Sequence, residues 1–148
     1  MSKPLWTRLV AVSGALLVLL GAFAAHGLEG YLTLEQSATY DTAVFYHAVH
    51  TLALLGVLNI TVDSRWLARS AWCFAIGIVF FSGSLYAIAV TGISQLGMIT
   101  PFGGGFFILG WLLLLPTTLP MEMDIKPESR QNASRSDVVR AGRMTPAQ

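Results

Sequence analysis

The side chains of this chain that could do chemistry are His26, Tyr46, His47, His50, Ser82, Ser84, Tyr86 and Thr100. His47 and His50 stand three residues apart, so on a helix they share a face, with Tyr46 on the adjoining turn. Imidazole titrates near neutrality and is the commonest metal ligand. His26 and His50 are therefore the candidate metal or haem ligands and the candidate proton relay. Glu29, Glu35 or Asp41 could complete a metal shell. Against metal stand the single cysteine, Cys73, and the lack of any ligand motif of fixed spacing. A nucleophilic serine would need a base and an orienting acid, which His50 and Asp41 could supply. Ser82 and Ser84, however, lie about 200° apart on a helix, so at most one can face His50. Neither sits in a nucleophile-elbow motif. The reading that asks least of these residues is structural, with the histidines hydrogen-bonded across helices to Ser82, Ser84 or Tyr86. Such contacts average about 0.6 kcal/mol in membranes and fix register more than they stabilise. No catalytic residue, no enzyme activity and no cofactor is expected.

Four apolar stretches must position these groups, roughly Trp6–His26, Ala43–Val62, Leu67–Thr91 and Ile99–Leu119. Each is about 20 residues long, enough helix to cross ~30 Å of hydrocarbon. Apolar residues make up 54% of the chain and charged residues 11%, and the mean hydropathy of +0.62 is too high for a water-soluble domain. Threading the chain up and down four times gathers Lys3, Arg8, Arg65, Arg69, Lys126, Arg130, Arg135, Arg140 and Arg143 on one side, leaving no Lys or Arg in the two opposite loops. That is the positive-inside pattern with both termini cytoplasmic. The fold class expected is an all-α membrane protein, an antiparallel bundle of four transmembrane helices in a domain spanning residues 1–120. Residues 121–148 read as a disordered cytoplasmic tail, rich in charge and polar residues with little to bury. No basic stripe suits nucleic acid. The lipid bilayer is the obligatory partner, and a homo-oligomer or a larger membrane complex is the protein partner to look for.

Finer features follow from the same pattern. The start resembles a secretory signal, but its apolar run reaches Ala25, and Gly14, Gly21 and Ala25 suggest a retained helix with a close-packing small-residue face. Asp63–Trp66 is a short turn, which makes spans two and three a hairpin. The outer segment Gly27–Thr42 mixes Tyr, Leu and acidic residues and predicts a short helix lying at the membrane surface, with Thr39 or Asp41 capping span two. Pro101 suits the first turn of span four. Gly103-Gly104-Gly105 predicts close backbone packing or an opened helix start, Cys73 a small packing residue, and the four tryptophans interfacial anchors and core filler.

The polar residues concentrate in the outer half of the spans, and their segments carry a resemblance. Gly21-Ala22-Phe23-Ala24-Ala25-His26-Gly27, the run from Tyr46 to Gly56, Phe81-Ser82-Gly83-Ser84-Leu85-Tyr86, Ile99-Thr100-Pro101-Phe102-Gly103-Gly104 and Gly110-Trp111 together resemble the YgdD-like family. That family comprises small inner-membrane proteins of bacteria, with a mitochondrial relative, of no known function. The resemblance covers about residues 5 to 115 in order and spacing. Position 47 is usually Gln and position 24 usually Gly in that pattern. It implies four spans in the cell inner membrane and supplies no reaction.

Overall fold

The computed structural model describes residues 3–28, 30–61 and 64–117. Among them all regular structure is helical, and four helices are long and apolar enough to cross a membrane. The first is α1, Lys3–His26, and the second is α2, Leu34–Asn59. The third runs Arg65–Thr91 and consists of α3 (Arg65–Gly77), a single π-helical turn (Ile78–Ser82) and α4 (Gly83–Thr91). The fourth runs Ser94–Thr117 and centres on α5, Thr100–Leu112, between two short 3₁₀ turns. Residues 118–148, and with them the expected tail, lie outside the described part.

The largest departure from the sequence reading is at the start of α2. The expected separate surface helix is absent among the described residues, because the second span starts at Leu34 rather than Ala43. Thr33 accepts the Gln36 N–H at 3.2 Å, and the Gln36 side chain accepts the Thr33 N–H at 2.9 Å. This reciprocal capping box satisfies two end donors and launches the helix about two and a half turns early. Thr39 and Asp41 therefore do not cap; the Thr39 hydroxyl donates back to the Glu35 carbonyl inside the helix. Elsewhere the helix ends are marked by ordinary local devices, Pro101 among them as expected. Ser64 caps α3 by accepting the Trp66 N–H, Gly92 closes α4 with φ of 71°, and Pro101 stands in the first turn of α5.

The core joins Trp6 and Val10 of α1 to Leu54, Val57, Leu67, Ala71, Phe74 and Phe107. Trp6 is buried and meets Trp72 edge-on, 5.0 Å between centroids. That contact brings the first turn of α1 against the middle of α3. Trp66 lies beneath the Arg65 and Arg69 guanidinium groups, as an interfacial anchor would. Cys73 is buried, as a packing residue.

The small-residue face of α1 does not pack closely. A Cβ on Gly14 would meet no heavy atom within 4 Å, and one on Gly21 only Val44 Cγ1 at 4.0 Å. The helix is anchored instead by the bulk of Trp6 and Val10. Close approach is made by α5. The Gly103 Cα sits on the Phe81 backbone, Gly110 lies against the Phe74 ring, and Gly77 lies under Phe107. The outward faces are apolar, with Val18, Val79, Phe102 and Ile108 each more than three-fifths exposed. Hydrocarbon, not water, is the solvent such faces suit.

This packing separates two glycines that stand two residues apart. Gly103→Ala drives a methyl into Phe81 and is expected to destabilise the protein by about 1–3 kcal/mol. Gly105, open on its side, is expected to accept Ala at no cost or with a gain of up to ~1 kcal/mol. Thermal melting in mild detergent reads both, and equal tolerance at the two positions would contradict the α5 contact.

Candidate functional site

The polar groups fall into three sets, two of them organised by α2. In the first, His47 is buried between α1 and α4. Its Nδ1 lies 3.3 Å from the Tyr86 hydroxyl and its Nε2 3.1 Å from the Ser13 hydroxyl. Ser13 in turn shares a 2.7 Å hydrogen bond with Thr51, one turn along α2 from His47. Neutral imidazole donates from one nitrogen and accepts at the other, while each hydroxyl can do either. The line Tyr86–His47–Ser13–Thr51 can therefore carry its hydrogen bonds in either direction. A further strut sits at one end of it, where Tyr40 donates to the Leu20 carbonyl at 2.9 Å and its ring meets that of Tyr86.

The second set surrounds His50. Its ring stacks on Phe107 with centroids 3.4 Å apart and also touches Tyr46, Phe74 and Trp111. His50 Nδ1 lies 2.8 Å from the Tyr46 carbonyl, an acceptor only, so Nδ1 must donate. The Trp111 indole N–H approaches Nε2 at 3.4 Å, and that nitrogen must accept. One neutral tautomer satisfies both contacts, and it leaves no ring lone pair free.

The third set ties the last two spans together. Ser84 and Thr100 hydroxyls meet at 2.8 Å, Ser84 also donates to the Phe81 carbonyl, and Ser70 donates to the Gly110 carbonyl at 2.8 Å. Ser82, at the end of the π-helical turn, is fully buried and its hydroxyl has no hydrogen-bond partner.

The residues proposed from sequence are thus only partly gathered. Tyr86 reaches a histidine, but it is His47 and not His50. Ser82 and Ser84 bond to neither. Ser84 and Thr100 form their own pair. Tyr46 contributes its carbonyl and ring and is itself part-exposed. His26 ends α1, exposed and without a hydrogen bond among the described residues. Nearby, a cleft of about 370 Å³ opens between Ala24, Leu28, Gly30, Leu32, Thr33 and Ser37. Among the described residues no three His, Cys, Asp or Glu side chains come together as a metal cage. Glu35 and Asp41 are exposed, and Glu29 lies outside the described part. Sequence reasoning gave no weight to Ser13, Thr51 and Trp111 as partners. The available signal was Thr51 at i+4 from His47, which puts both on one stripe.

Comparison with known proteins decides the family. The family described as "Protein of unknown function (DUF423)" matches residues 20–104. UPF0382 membrane protein SH2409 of Staphylococcus haemolyticus is 43% identical over 119 residues, covering 75% of this chain and 95% of the relative. The chain belongs to this family. A UPF0382 membrane protein of Haemophilus influenzae is 42% identical over 113 residues, covering 76% and 91%. The UPF0382 inner membrane protein YgdD of Escherichia coli is 40% identical over 108 residues, covering 71% and 82%. The YgdD-like resemblance therefore stands, and the protein is a transmembrane protein. No solved structure matches the chain. The matched stretch contains His47, His50, Thr51, Ser84, Tyr86 and Thr100, while Ser13 and Trp111 fall outside it.

The His50 geometry sets a test of role. Gln loses the ring stack but retains an acceptor for Trp111 and a donor for the Tyr46 carbonyl, so His50→Gln is expected to cost about 1 kcal/mol less than His50→Ala. His50→Ala removes the Phe107 stack and leaves the indole N–H unpaired, at a cost on the order of 2–3 kcal/mol. Melting temperatures of the two variants check this. Loss of a cellular phenotype by both, with folding intact, would instead assign His50 a chemical role.

Proposed function

We propose that this protein is a non-enzymatic accessory or interaction protein of the cell inner membrane. It is a multi-pass, antiparallel bundle of four transmembrane helices with both termini cytoplasmic. The observation that carries the reading is that the histidines spend their hydrogen bonds inside the bundle. Both nitrogens of His47 and both of His50 are engaged by neighbouring groups. Neither buried serine candidate bonds to a histidine, and a nucleophile without its base is inert. The name of the E. coli relative supports the inner membrane.

Antiparallel threading is supported by two ties between α1 and α2, in which Tyr40 reaches Leu20 while Thr51, further along α2, reaches back to Ser13. The connections of α2 to its neighbours are also short. Cytoplasmic termini are supported by Lys3, Arg8, Arg65 and Arg69, all near the Trp6–Trp72 end, where the positive-inside bias puts the cytoplasm. A reporter fused after Gln148 is expected to be active only in the cytoplasm, and one inserted within 94–97 only outside. A periplasmic C-terminal reporter would overturn the threading.

A second reading has one observation in its favour. The reversible line Tyr86–His47–Ser13–Thr51 crosses three helices and suits a proton, small-ligand or metal-handling protein working as an oligomer. Purification in mild detergent, with elemental analysis and an absorption spectrum, separates the two. The accessory role predicts a stoichiometric protein partner and neither bound metal nor a haem band. Stoichiometric metal or haem with no partner would favour the second reading.

A further inference from the structure

The described basic residues gather at one end of the bundle and are not neutralised there. Lys3 and Arg8 occupy the first turns of α1 and Arg65 and Arg69 the first turns of α3, and the Trp6–Trp72 contact links the two helices about a turn beyond Arg69. Among the described residues none of the four makes an ion pair. Two of them share one aromatic ring. The Arg65 and Arg69 guanidinium groups both lie over the ring of Trp66, at 5.4 and 4.9 Å from its centroid. Stacking uses the flat face of a guanidinium and leaves its rim of N–H donors free, the edge that grips phosphate oxygens bidentately. A single indole thus gathers two guanidinium groups one turn apart on α3.

We propose that Arg65, Trp66 and Arg69, at the end of the bundle that also carries Lys3 and Arg8, form a binding site for the phosphate headgroup of an anionic phospholipid. A lipid fits better than a free phosphate because the apolar surface continues from the basic end along the bundle. Leu5, Leu9 and Trp72 are all at least two-fifths exposed there and give an acyl chain a wall to lie against. Basic clusters between transmembrane helices recognise lipid headgroups in this way. The site rests on membrane residence alone and not on which side faces the cytoplasm, nor on the accessory role.

The test uses the full-length protein in nanodiscs of phosphatidylcholine with or without phosphatidylglycerol, transferred to detergent for native mass spectrometry of retained lipid. Retention of phosphatidylglycerol over phosphatidylcholine is expected, falling about fivefold with Arg65→Gln and about fivefold again when Arg69→Gln is added. Trp66→Leu keeps every charge but removes the scaffold, and is expected to lower retention as much as one arginine. The double Arg65→Lys, Arg69→Lys variant is expected to behave likewise, since ammonium groups neither fork nor stack in the same way. If the Leu and Lys variants retain lipid like the unaltered protein, the attraction is diffuse charge and the site is refuted. Equal retention of both lipids also refutes it. Inorganic phosphate that displaces the lipid at millimolar concentration, or protects the protein equally, would assign the site to free phosphate instead. Melting temperatures in phosphatidylcholine keep folding defects apart from these outcomes.

Discussion

In hydrocarbon a polar group finds no water, so one that a helix carries inward must find its partner within the protein. The arrangement of this protein follows from that constraint acting on α2. Tyr40, His47, His50 and Thr51 are all buried, and three other helices between them supply the partners. α1 answers with the Leu20 carbonyl and Ser13, α4 with Tyr86, and α5 with Trp111. α3 is tied separately to α5 through Ser70. A membrane hydrogen bond contributes only about 0.6 kcal/mol on average. These ties therefore select one helix register among many that would pack about as well, and the bulk of the stability must come from packing.

That packing is an exchange of glycine for aromatic rings. Phe107 fits over Gly77 and under His50, Phe74 fits beside Gly110, and the Phe81 backbone rests on Gly103. Without a hydrophobic drive between helices, close contact of this kind is the main attraction left. It also explains why His50 and His47, one turn apart, differ in kind. His50 is enclosed by rings and fixed in a single tautomer. His47 is bounded by hydroxyls that can turn, so its hydrogen bonds can reverse. Glutamine at position 47, the residue usual in the resembling family, would still bridge Tyr86 and Ser13 through one donor and one acceptor. It would hold the helices and not pass a proton, which favours a structural role for that position.

The spans were legible because a 20-residue apolar run in a chain of this hydropathy has few other uses. The ends were less so. The Thr33–Gln36 capping box is plain in the sequence, but it lies among Tyr31, Leu34, Glu35 and Asp41, whose mixture resembles a surface helix more than the first turns of a span. The site was half legible. Types and depth singled out the histidines, Ser84, Tyr86 and Thr100, whereas the pairing could not be read. Choosing Ser13 over Ser82 for a histidine depends on how α1 rotates against α2, and nothing local sets that angle. The small-residue face of α1 misled for a related reason. Gly14 permits close approach, but Trp6 and Val10 already hold the helix at the distance their bulk requires.

The π-helical turn shows what register costs. The Gly83 N–H reaches the Ile78 carbonyl five residues back, one more than an α-helix spans, so the third span carries one inserted residue. Before the turn, α3 must present Ser70, Phe74 and Gly77 to α5. After it, α4 must present Tyr86 to His47 and Ser84 to Thr100. An unbroken α-helix through Arg65–Thr91 that met the first demand would turn Tyr86 by about 100° away from His47. The insertion reconciles the two faces. Its cost falls on Ser82, whose buried hydroxyl is left without the partner that, among the described residues, the other buried polar side chains have found. A hydroxyl left unpaired at the one irregular turn of a span is the sign that the helix on either side of it answers to a different neighbour.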